Sequence, residues 1–269
     1  WLLEPDITHI SNEVSFAESC PPPVCVSTMV CCSNPRYVEL IEYLEVDVVE
    51  LTGNHLLDWG VGAMQLSLKM YDERSIPYFG GGWNLAQAQR PLTLTRGVHT
   101  FGFVGCNPVG PESDWATEDR PGSAPCPGYD YSWLLNRIRD LRERGVIPIV
   151  TLQYWEFDRF EPTPQQRADF RALSEAGAVI VSGSQAHHPQ AFDFQDGAFI
   201  HYGLGNLFFD QTQILEYRQT FVDRHVFYDG RHVSTELLTA MRDDYAQPRP
   251  TTAEEREAFL EAVFAASGW

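Results

Sequence analysis

Three short apolar runs rich in β-branched residues, VDVVEL at 46–51, VIPIVTL at 146–152 and AVIVS at 178–182, alternate along this chain with segments of helical periodicity. Runs of that length and composition are expected of strands covered on both faces. The segments between them keep a different period. Val61, Met64, Leu68 and Tyr71 recur at helical spacing, as do Tyr131, Leu134, Leu135, Ile138 and Leu141, a helix that Gly145 is placed to end. Pro164 opens a further helix and Gly177 closes it. Strand–helix–strand alternation implies a largely parallel sheet with helices on its faces, whose ligands gather beyond the carboxyl ends of the strands. Further strands are predicted at 98–104 and 198–202, and a hairpin at 219–228 and 231–239 around Asp229-Gly230. A last helix is predicted over 252–266, with Thr251 or Thr252 as its N-cap. No repeat, low-complexity block or linker divides the 269 residues, so a single α/β domain over 1–269 is predicted.

Composition supplies the exclusions. With 43% hydrophobic and 21% charged residues, the chain is neither a disordered segment nor a coiled coil. No apolar run approaches the roughly 18 residues that cross a bilayer. Acidic residues number 37 against 19 basic, a net charge of −18, and no basic stretch offers a nucleic-acid face. A polyanionic substrate would be repelled at long range unless metal ions or a local arginine cluster reverse the field. Six cysteines stand at 20, 25, 31, 32, 106 and 126, none at the C-x-x-C spacing of zinc or redox sites. Four crowd the Pro-rich loop ESCPPPVCVSTMVCC, and Cys126 lies in PGSAPCPGY. Cysteine spent on loops is typical of staples in an oxidising compartment, so an extracellular or cell-surface location is expected, with any leader removed or lying upstream. A Cys106–Cys126 bridge would contribute about 3 kcal/mol in the chain-entropy model.

Four polar clusters follow predicted strands: Asn12 and Glu13 after DITHIS; Gly53, Asn54, His55 and Asp58 after VDVVEL; Gln153 and Glu156 after VIPIVTL; and Gly183, Ser184, Gln185, His187 and His188 after AVIVS. Taken singly, each has a plainer role. An Asn-His pair caps a turn, a glutamate pairs with a surface arginine, and a lone histidine is structural. Taken together at strand ends, they argue for one site, and their mixed oxygen and nitrogen donors suit a divalent cation such as Zn, Mn or Fe. His9, His99, His201, His225 and His232 are spread along strands and are assigned to packing or hydrogen bonding.

The order of TGNHLLDWG at 52–60, QYWE at 153–156, GSQAHHPQ at 183–190 and HYGLGNLFFD at 201–210 resembles the CapA-type poly-γ-glutamate capsule biosynthesis family, which looks like a branch of the calcineurin-like metallophosphoesterases. The similarity runs from about residue 4 to 210. It implies a four-layer α/β/β/α sandwich with a largely parallel or mixed sheet and a divalent metal held between loops. By this resemblance Glu13, Asn54, Glu156 and His187 are metal ligands, and His55 and Asp58 are catalytic. His55 would donate a proton to a leaving group or steady an oxyanion, while Gln153, Gln185, His188 and Asn206 would contact substrate. Two histidines of the family pattern are replaced here by Gln153 and Gln185, and an amide oxygen binds such metals more weakly than imidazole does. The family's opening strand would precede Trp1, leaving a sheet edge to be covered by another segment or a neighbouring molecule.

Three readings of function follow. The first is a metal-dependent hydrolase or transferase acting on a phosphoester or γ-glutamyl bond, with capsule polymer or a small anionic molecule as substrate. The second is a surface protein whose metal site has decayed and which binds capsule polymer or self-assembles, with Tyr78, Phe79, Trp83 and Trp115 as recognition or self-association surface. The third is self-assembly into a homo-oligomer or filament through exposed strand edges.

Overall fold

Parallel pairing of His9–Ser11 with Val48–Glu50, in the register His9 with Val48 and Ser11 with Glu50, brings the first two candidate loops side by side. A computed structural model describes residues 1–21, 30–244 and 246–269. These residues form two compact units, Trp1–Arg96 with Gly102–Arg137, and Gly97–Phe101 with Ile138–Trp269.

In the first unit Val48–Glu50 is the central strand of a parallel three-stranded sheet, flanked by His9–Ser11 and Tyr78–Phe79. Val48 and Val49 are fully buried, as expected of a strand covered on both faces. The strand is shorter than VDVVEL because the Asp47 carboxylate turns back to accept the Thr8 N–H at 2.9 Å. The predicted helix runs over Gly60–Arg74 and buries Met64, Leu68 and Tyr71, each contributing roughly 2 kcal/mol. Cys106 and Cys126 are bridged, and so are Cys20 and Cys32. Cys25 lies outside the described residues.

In the second unit Ile147–Gln153, Ile180–Ser184 and Ala198–His201 are parallel neighbours, and Phe192–Gln195 adds an antiparallel strand beyond Ala198–His201. The helix Pro164–Glu175 opens on the expected proline, with the Thr163 hydroxyl accepting the Gln166 N–H. Phe170 and Leu173 on its inner face are fully buried. The hairpin pairs Gln219–Tyr228 with Arg231–Asp243 across Asp229 and Gly230, both at positive φ as its two-residue turn requires. Gln247–Pro250 adds a third antiparallel strand. The helix Ala253–Ser267 begins with a capping box of Thr252 and Glu255, and its Phe259 stacks on Phe221 of the hairpin at 4.4 Å. Among the described residues no helix is long and apolar enough to cross a membrane.

Candidate functional site

Main chain brings Glu13 and Asn54 together. A Cβ on Gly53 would stand 2.6 Å from the Glu13 carbonyl oxygen and 2.7 Å from its Cα, so only glycine lets the two loops touch backbone to backbone. Val14 and His55 then continue the parallel pairing as an isolated bridge. The Asn12 amide stiffens this joint, donating to the Val14 carbonyl at 3.1 Å and the Tyr71 hydroxyl at 2.6 Å. Glu13 and Asn54 remain half-buried beside each other.

One turn further, His55 Nδ1 lies 2.7 Å from Asp58 Oδ2, an oxygen that also accepts the Cys31 N–H at 2.7 Å. Cys31, His55 and Asp58 offer ligand atoms within 4.8 Å of one another. With Nδ1 and Oδ2 already bonded to each other, however, the pair is a hydrogen-bonded acid–base dyad that keeps Nε2 for a further partner. Burial disfavours the charged imidazole, but the hydrogen bond with Asp58 and the charges of Glu13, Asp58 and Asp114 outweigh it and raise the His55 pKa above 6.5.

Asp114 joins the charges around His55 and Asp58 but has no signal in the sequence, because it lies in the long loop well beyond the end of the strand predicted at 98–104. It is 2% exposed, and its Oδ2 is buried with no hydrogen-bond partner among the described residues. Burial, then the neighbouring charge of Asp58, pushes its carboxyl up to about 7 against the pull of His55, the Leu57 N–H and Arg120.

The second unit assembles another group. Its strands end in register, Gln153 opposite Ser184, so the residues that follow them emerge together. Gly183 lies against the Tyr202 carbonyl, 2.0 Å from where a Cβ would be, which ties the GSQAHH segment to YGLGN. Gln185 then adopts a φ of +73°, costing a residue with a Cβ roughly 1 kcal/mol or more. Its Nε2 donates to Glu156 Oε1 at 3.3 Å, and its Oε1 is buried with no hydrogen-bond partner among the described residues.

His187 Nε2 stands 3.1 Å from the same Glu156 oxygen. The Asn206 amide nitrogen donates to the carbonyls of His187 and Tyr217 at 3.5 and 3.4 Å, which turns its Oδ1 onto His187 Nδ1 at 2.6 Å. The proton of a neutral ring is thereby held on Nδ1 and the lone pair on Nε2. Two acceptors therefore face each other beside the Gln185 amide, an arrangement completed by a proton or a cation. Imidazole, carboxylate and amide fit Zn, Mn or Fe in kind. Phe209 stacks on the His187 ring at 4.8 Å.

Other sequence-assigned residues serve the packing. Gln153 is fully buried and accepts the Ser184 hydroxyl at 2.8 Å. His188 is buried, with Nδ1 on the Pro189 carbonyl at 2.8 Å and its ring on Phe160 at 4.5 Å. Asn206 orients His187 from a buried position. His201 bonds Asp223 at 2.7 Å, while His225 and His232 share the Thr235 hydroxyl.

Residues 1–211 match the family described as "Bacterial capsule synthesis protein PGA_cap". The chain belongs to this family. Among its relatives, the "PGA biosynthesis protein CapA" of Bacillus subtilis (strain 168) is 27% identical over 202 residues, covering 74% of this chain and 52% of the relative. The "Capsule biosynthesis protein CapA" of Bacillus anthracis is 26% identical over 221 residues, covering 80% and 52%. The chain thus spans about half the length of the capsule proteins it matches. A solved structure of a putative 5'-nucleotidase from Staphylococcus aureus in complex with alpha-ketoglutarate superimposes with a TM-score of 0.53 at 14% identity, over 87% of this chain and 44% of that one. This likeness establishes the mixed α/β fold of the calcineurin-like phosphoesterases.

Proposed function

We propose that this member of the PGA_cap family is an extracellular metal-assisted hydrolase or transferase of poly-γ-glutamate capsule synthesis or processing, acting on a γ-glutamyl or phosphoester bond. The observation that carries this reading is the convergence of His187 Nε2 and Glu156 Oε1 beside Gln185, whose Oε1 is buried with no hydrogen-bond partner among the described residues. Glu156, Gln185 and His187 would hold a cation in the second unit, and Glu13 and Asn54 would be the donors of a separate group within the first. When bound, a divalent cation polarises a carbonyl or phosphoryl oxygen and lowers the pKa of a water molecule. His55, fixed through Nδ1 by Asp58 and more readily protonated than a free imidazole, holds a proton on Nε2 for the leaving group. Asn206 and Phe209 keep the His187 ring in one orientation. The names of the Bacillus relatives support capsule polymer as substrate, and the two disulfides support a location outside the cell.

The inward-turned Gln153, bonded to Ser184, favours a second reading in which the polymer is bound without turnover. Protein loaded separately with Zn, Mn and Fe(II) is assayed for metal content, for binding of poly-γ-glutamate, and for cleavage of poly-γ-glutamate or p-nitrophenyl phosphate. The first reading expects near-stoichiometric metal and product release, both lost in His187→Ala, with product release alone lost in His55→Ala. Polymer binding with neither metal nor product leaves the second reading standing. Failure of all three measurements refutes both.

A further inference from the structure

Arg242 is fully buried and is the largest of the fully buried side chains among the described residues. A guanidinium has five donors and no acceptor, so a buried one needs a cage of oxygens. Its Nη2 donates to the carbonyls of Gln211 and Tyr217. Its own carbonyl accepts the Arg218 Nε–H at 2.9 Å, and the Arg218 guanidinium lies on Asp243 at 2.9 Å. The segment 206–218 is therefore fastened to the hairpin strand Arg231–Asp243 at its far end.

Its near end reaches the candidate site. Asn206 and Phe209 hold the two sides of His187, by hydrogen bond and by ring stacking. Tyr217 links the ends: its carbonyl accepts from both Arg242 and Asn206, one donor for each lone pair. Its hydroxyl donates at 2.6 Å to Asp158, two residues from Glu156. A hairpin core alone gives no reason to bury a cation, since apolar residues of similar volume are often as stabilising. The hairpin also lies outside the matched residues 1–211, so its part in the site is not given by the family.

We propose that Arg242 is a positioning residue for His187, acting through the Tyr217 carbonyl and Asn206 to hold the imidazole in its Nδ1–H form. The proposal rests on His187 being a site residue, and the test separates the two. In the full disulfide-bonded chain, Arg242→Met and Arg242→Lys are compared with the parent by imidazole 1H–15N correlation spectra and by Mn2+ titration. The expected result is a His187 signal moved from one tautomer to a mixture, unmoved His225 and His232 signals, and Mn2+ affinity reduced about tenfold. Lysine keeps the charge but its Nζ ends one bond short of the Nη2 that reaches both carbonyls, so Arg242→Lys is expected to show the same change, and it carries the test if Arg242→Met does not fold. An unchanged His187 tautomer in a folded variant overturns the proposal. A changed tautomer with unchanged Mn2+ affinity upholds the positioning role and removes His187 from the metal site.

Discussion

Replacing Asp114 by asparagine should stabilise the protein in a pH-dependent way. The substitution keeps the shape and an acceptor for the Leu57 N–H, and it removes a carboxyl raised from 3.8 to about 7 by burial and by Asp58. A folded-state pKa above the unfolded value means that the folded protein binds the extra proton between these two limits. Stability then falls as pH rises through that window, and the full cost is present above about 7. Each tenfold change in acidity is worth about 1.4 kcal/mol, which sets a ceiling of about 4 kcal/mol, and relaxation with water entry reduces the expectation to about 2 kcal/mol. Urea unfolding followed by tryptophan fluorescence, with disulfides intact, is run from pH 5 to pH 8 on parent and Asp114→Asn. The variant should already be ahead at pH 5, since part of the window above 3.8 lies below that pH, and its lead should widen towards pH 8. A difference that stays flat over this range, or that changes in favour of the parent, refutes the assignment of Asp114 as a buried acid that holds its proton near neutrality.

Gln185→Gly should raise stability by about 1 kcal/mol by relieving the left-handed backbone, while weakening Mn2+ binding. Lower stability with unaltered Mn2+ affinity would contradict both parts. His225 is pushed down to about 4, by burial first, and His232 is also lowered by burial. Their contribution is complete above 6.5 and is lost as pH falls from 6.5 towards 4, so melting temperature should drop over that interval and His225→Phe should flatten the drop. Identical acid slopes in the two proteins would count against this. Removing the Cys106–Cys126 bridge by a double serine substitution should cost about 3 kcal/mol, measured in the same urea titration, and a loss well under 1 kcal/mol would place the stabilisation elsewhere.

The elements legible in the sequence were those set by neighbours along the chain. Pro164 behind a threonine cap, the Asp229-Gly230 turn and the Thr252 capping box each act within a few residues, and each stands where the sequence pattern puts it. Strand limits were less legible, because partners set them. VDVVEL yields only Val48–Glu50 once Asp47 turns to Thr8, and the parallel alternation gives way to an antiparallel strand at Phe192–Gln195. The strand-end clusters stood out because carboxylate, amide and imidazole gathered at one kind of place. Asp114 had no such place, and the left-handed backbone of Gln185 has no sequence signature at all. Arg242 left one trace, a charge within the apolar stretch LLTAMRD, but its partners at 211 and 217 lie across a turn and a whole strand.

The contact at Gly53 makes a distance in the molecule depend on an atom that is not there. Side-chain spacings elsewhere breathe as rotamers exchange, whereas the gap between the Glu13 and Asn54 attachment points is fixed by peptide planes in contact. One methyl group at position 53 would act as a wedge, parting the two chains before either donor had changed.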